Sequence, residues 1–119
     1  MPPRQIVDRV VRSVVQVVAL KRSWVGNYSP AWTGSGTMVD SRGLVLTNCH
    51  VANPRAMGMP APAADVIAIA VTNRTDEPPA LTYLCELVVY SPELDLAVLR
   101  IVADINGNRL NNLNVPYIP

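Results

Sequence analysis

Trp32-Thr33-Gly34-Ser35-Gly36-Thr37-Met38-Val39-Asp40-Ser41-Arg42-Gly43-Leu44-Val45-Leu46-Thr47-Asn48 is the stretch on which the fold turns. Residues 32–40 read as a strand with small residues in its middle, and 44–48 as a second strand. Ser41-Arg42-Gly43 between them is a tight connection, with Asp40 belonging to the turn, so the stretch predicts a β-hairpin. Working outward, Ser13–Leu20 (SVVQVVAL) is β-branched and reads as a strand before the hairpin. Between them, 21–31 is polar and turn-rich and reads as a loop. Before that, Ile6, Val7, Val10 and Val11 recur at helical spacing among charges, which predicts a short amphipathic helix over 4–12.

Downstream of the hairpin, 53–64 holds three Pro and one Gly, too many for helix or strand, and reads as a long surface loop. Residues 65–72 (DVIAIAVT), 81–91 (LTYLCELVVYS) and 95–102 (DLAVLRIV) each read as a strand, with a polar connection over 73–79. The Asn-rich 103–119 shows no periodicity and reads as a linker leaving a domain. The expected organisation is therefore a helical segment over 1–12, a β domain over 13–102 and a linker over 103–119. Six short strands separated by turn signals place the chain among all-β barrels or sandwiches.

Composition narrows the function. The chain has 119 residues, enough for one small domain with its own core. Half the residues are hydrophobic and 16% are charged, which excludes whole-chain disorder. A net charge of +1 gives no electrostatic footprint for nucleic acid. No apolar run reaches the roughly 18 residues of a membrane-spanning helix. One His and two Cys cannot build a Cys/His zinc tetrad, and no cofactor motif is present. Met1-Pro2-Pro3-Arg4 lacks the apolar stretch and cleavage site of a secretory signal. Cys49 and Cys85 are too few for a disulfide framework; they read either as buried small hydrophobes or as one disulfide.

The chemistry centres on the single His. His50 lies just past a strand end, in Leu46-Thr47-Asn48-Cys49-His50-Val51. Asp95 opens the apolar strand Asp95-Leu96-Ala97-Val98-Leu99-Arg100-Ile101 and is therefore expected to be partly buried. A buried carboxylate needs a partner, and an imidazole N–H suits it. Ser35 lacks the Gly-x-Ser-x-Gly elbow of an activated nucleophile. Cys49 adjoins His50, and neighbours on an extended chain point to opposite sides. Glu93 is placed to cap the turn before Asp95, and Asp65 and Asp76 read as loop or strand-edge charges. Trp24, Tyr28 and Trp32 flank a loop and read as packing at one end of the barrel, or as a regulatory or substrate-facing loop. Asn27-Tyr28-Ser29 and Asn73-Arg74-Thr75 match the glycosylation sequon, a motif common by chance.

The stretches Ser13-Val14-Val15-Gln16-Val17, Gly34 to Asp40, Gly43 to Val51 and Asp95 to Ile101 resemble the trypsin-like (chymotrypsin-fold) serine proteases, most closely the bacterial HtrA/Deg branch. They occur in the family's order over about residues 5–102. Thr-Asn-x-His-Val and Asp-Leu-Ala-Val-Leu are specific in combination. The resemblance implies two six-stranded antiparallel β-barrels with the catalytic triad in the cleft between them, of which this chain would be the first. It also implies that His50 is the general base and then the general acid, and that Asp95 fixes the imidazole. The family's nucleophile lies in a Gly-x-Ser-Gly-Gly turn of the second barrel, and the chain is expected to stop before it. The chain alone is then expected to be inactive, its partners being the C-terminal barrel of the same protein and a polypeptide substrate. A flanking PDZ domain or an oligomer, and a periplasmic, envelope or secreted location in a bacterium, are further implications of the family. A cysteine protease on the same fold shares the missing half. The competing reading is a non-catalytic pseudoprotease or binding β-barrel.

Overall fold

The computed structural model describes residues 4–23, 25–59, 66–71, 80–110, 113 and 115–118. Among these residues two α-helices, a 3-10 helix and six strands follow in order: α1 (Arg4–Ser13), β1 (Val14–Arg22), β2 (Tyr28–Asp40), β3 (Leu44–Thr47), α2 (Cys49–Ala52), the 3-10 helix Pro54–Met57, β4 (Val66–Val71), β5 (Ala80–Ser91) and β6 (Leu96–Asp104). The strands are antiparallel and close into one barrel in the order β1-β2-β3-β6-β5-β4. The expected all-β, six-stranded barrel with a short N-terminal helix is what forms.

Side-chain alternation makes the barrel. On β1, Val15 and Val17 point inward while Val14 and Gln16 face out. On β6, Ala97, Leu99, Ile101 and Ala103 are buried and Leu96 and Arg100 are exposed. Met38, Val45, Ile69 and Cys85 complete a core made without Phe. Closure requires close approach at Gly36, where a Cβ would sit 2.8 Å from Val45 Cγ1 and 3.0 Å from Val17 Cγ2. In the β2–β3 turn, Asp40 Oδ1 accepts the Arg42 N–H at 2.7 Å and Gly43 has a φ of +95°. That left-handed backbone is open to Gly at little cost.

Several boundaries differ from expectation. The loop read over 21–31 shrinks, because β1 runs on to Arg22 and β2 begins at Tyr28. Pro30 is accommodated inside β2 because its stretch of β2 pairs with β1 alone; β3 joins only from Gly36 onward. The Pro-rich stretch is not wholly a loop, since Pro54 opens a helical turn, where the missing N–H would have no partner anyway. The amphipathic helix forms, but Ile6, Val7 and Val10 lie exposed instead of covering the core. In the stretch read as a linker, described residues near the C-terminus contact the barrel. Val115 is buried and donates its N–H to Ser41 O at 3.0 Å, and the Ile118 N–H reaches Met38 O at 2.8 Å. The first two residues of that stretch, Ala103 and Asp104, belong to β6, whereas Val115 and Ile118 bond one at a time outside any strand, which leaves no period in sequence. The readings for Trp24, 60–64, Asp65, the 73–79 connection with Asp76, and Asn73-Arg74-Thr75 lie outside the described residues.

Candidate active site

His50 sits on α2, the single helical turn that follows β3. Thr47, buried at the end of β3, donates its hydroxyl to Ser35 O at 2.7 Å and so ties that strand end to β2. Asn48 then caps the turn with its carbonyl, which accepts the N–H groups of Val51 and Ala52 at 3.1 Å each. Its side chain is used elsewhere, donating to Asp95 O at 3.0 Å. Cys49 and Val51 face the core, and His50 between them faces outward with its side chain 44% exposed. The extended-chain geometry expected for Cys49 and His50 is thus replaced by a helical one, in which neighbours diverge by roughly 100°. The thiol points inward, its Sγ 3.9 Å from Asn53 O. Burial and then the Asp95 charge raise its pKa, so it is a poor thiolate source. Cys85 is buried too, its thiol pushed up to about 12 by desolvation, and neither cysteine is bridged.

Asp95 arrives from the turn between β5 and β6. Ser91 Oγ accepts the Leu94 N–H at 3.3 Å and Pro92 O accepts the Asp95 N–H at 3.3 Å. Ser91 therefore fills the capping position expected of Glu93; its short hydroxyl reaches the backbone from the strand end. Asp95 has a φ of +52°, the one left-handed non-Gly residue among those described. In that conformation its carboxylate meets His50 twice. Oδ1 accepts the His50 backbone N–H at 2.8 Å, and Oδ2 lies 2.6 Å from His50 Nδ1.

The electrostatics follow from this fork. The His50 backbone N–H first, and the His50 ring second, hold the Asp95 carboxyl below the usual carboxylate range. Asp95 is then ionised at neutral pH and can only accept, so Nδ1 carries the proton of the 2.6 Å bond. In the neutral imidazole the Nε2 lone pair is left available, which is the arrangement a general base needs.

A cavity of about 460 Å³ opens beside His50, walled by Trp32, Gly34, Ser35, Val51 and Met59. Trp32 donates its indole N–H to Val51 O at 2.8 Å. Opposite it, Gly34 lets Val51 lie against β2: a Cβ there would be 2.5 Å from Val51 Cγ2. Neither contact is visible in sequence, where Trp32 reads as packing at one end of the barrel or as part of a regulatory or substrate-facing loop. The small residues at 34–36 were the one available signal, since they mark a close approach. Ser35 lines the same cavity from its place on β2.

A family model described as a trypsin-like peptidase domain matches residues 34–118. No curated protein matches the chain.

Proposed function

The chain belongs to the trypsin-like peptidase domain family, and on that premise we propose that it is the N-terminal barrel of an HtrA-like serine endopeptidase, contributing two of the three triad residues. The observation that carries this reading is the two-point grip of Asp95 on His50, through the backbone N–H and through Nδ1. It leaves Nε2 as the basic atom on a ring exposed to solvent and next to a cavity.

In the proposed reaction a serine hydroxyl from a second barrel gives its proton to His50 Nε2 as its oxygen attacks the peptide carbonyl. Asp95 stabilises the resulting imidazolium without taking the proton. His50 then passes that proton to the leaving amine, the C–N bond breaks, and water repeats the cycle on the acyl-enzyme. No Gly-x-Ser-Gly-Gly sequence occurs in the 119 residues. On this reading the nucleophile and oxyanion hole belong to a second barrel, and the chain by itself is expected to be inert. A polypeptide substrate and an exported bacterial location belong to the same proposal.

The test starts from the gene. The reading expects an in-frame Gly-x-Ser-Gly-Gly within about one domain length beyond the codon for Pro119. The full-length product should cleave unfolded casein and take up a fluorophosphonate label. His50→Ala should lower kcat about 10⁴-fold or more, and the 119-residue chain should cleave nothing. A full-length product without that turn, or one whose activity survives His50→Ala, removes the proteolytic reading in favour of a binding barrel.

A further inference from the structure

Helix α2 is too short to hold itself together. A single turn in water is far below the length at which helices persist, so its geometry is set by what grips it. Its last carbonyls have no partners within the helix. One of them, Cys49 O, takes the Asn53 N–H at 2.7 Å. Another, Val51 O, takes the Trp32 indole N–H at 2.8 Å, a bond that spans 19 residues of sequence and is partly buried. Trp32 is rooted in the barrel, since its backbone is paired with Ala19 of β1, which is 2% exposed. His50 thus sits between two anchors. Asp95 holds its backbone N–H and its ring from the β6 side, and Trp32 holds the next residue's carbonyl from the β2 side.

We propose that Trp32 is a positioning residue for His50: its indole N–H fixes the C-terminal end of α2 and thereby the angle at which the imidazole meets Asp95. The proposal rests on His50 being the base, but its test reads the geometry of the pair and not proteolysis, so either can fail alone. Removing the N–H strands a partly buried carbonyl, which is costly. The turn can then relieve that cost by rotating Val51 O outward, and this carries His50 away from the carboxylate.

The experiment uses the 119-residue chain and Trp32→Phe, which keeps an aromatic ring at that position and deletes the donor. Two readouts are taken by NMR. One is backbone amide exchange at His50, with Leu99 in the core as the reference. The other is the ¹⁵N signature of the single imidazole, which reports whether the proton resides on Nδ1. The expected result is roughly tenfold faster exchange at His50 with Leu99 unchanged, and a shift of the imidazole toward the Nε2–H tautomer. An unchanged imidazole signature, or equal acceleration at His50 and Leu99, makes Trp32 an ordinary packing residue and overturns the proposal. If Trp32→Phe does not fold, the unmutated chain decides. The Trp32 indole proton and the His50 amide should then exchange together, through one local opening faster than that of Leu99. An indole proton exchanging freely while the His50 amide stays protected overturns the proposal.

Discussion

Asp95 combines a backbone conformation that most residues avoid with the shortest of the bonds made to His50. Asp and Asn tolerate the left-handed region better than other non-Gly residues, so Asp95→Asn tests the charge with little added strain. The amide oxygen can still accept the His50 N–H. The amide nitrogen, however, now faces Nδ1 and donates to it, and the imidazole proton moves to Nε2. The expected outcome is a reversed ¹⁵N tautomer signature in the isolated chain, and a kcat about 10⁴-fold lower in a full-length enzyme. A wild-type signature in the variant would mean that Asp95 does not set the tautomer. At this scale much of the candidate site was legible, in that both residues of the observed contact stand out in sequence. His50 is the one His, and Asp95 stands at the mouth of an apolar strand, where a carboxylate must find a partner. Trp32 was not legible in this role, because its partner is a main-chain carbonyl and carbonyls carry no signature in sequence.

Among elements, strands were easier to read than the segments that join them. Alternating Val, Leu and Ile mark an inward face whatever the neighbours are. Strand ends instead depend on where a partner strand stops pairing, which is why β1 and β2 run closer together than their polar residues suggest. The helical turn at Pro54 was hidden by a sound rule, since Pro breaks a helix interior but not its first position. The seating of α2 on β2 gives a prediction here. In Gly34→Ala the new Cβ would fall 2.5 and 2.7 Å from the two methyls of Val51, a β-branched residue that is 7% exposed and has little room to turn. A loss of about 1–3 kcal/mol is expected, read from the urea midpoint, together with faster amide exchange at His50. Unchanged stability would show that α2 can slide on the barrel at no cost.

Across the whole molecule, carboxylates set the acid limit. Asp40 is held low by Arg42, Asp95 by His50, and Asp104 by hydrogen bonds led by the Asn108 N–H. Each binds its proton less readily when folded than when unfolded. Their stabilisation is therefore complete above the ordinary carboxylate pKa of about 4 and is lost as pH falls through the lower folded values. Denaturant midpoints should fall below about pH 4, and fall less steeply in Asp95→Asn; equal slopes would leave Asp95 out of the linkage. The sequence by itself determined the class of fold and the two residues of the pair. Alternation and turn chemistry are local, and a lone His and a strand-opening Asp stand out without any partner in view. Only the tertiary structure decided that the six strands close in the order β1-β2-β3-β6-β5-β4, that β3 and β6 lie side by side, and that Asp95 therefore reaches a residue 45 positions away. It also decided that Val115 and Ile118 bond back to the barrel and that the Trp32 indole N–H meets a carbonyl of the His-bearing turn. Those outcomes depend on register, on close approach at Gly34 and Gly36, and on unpaired main-chain groups finding partners, all of which arise only once the chain has closed on itself.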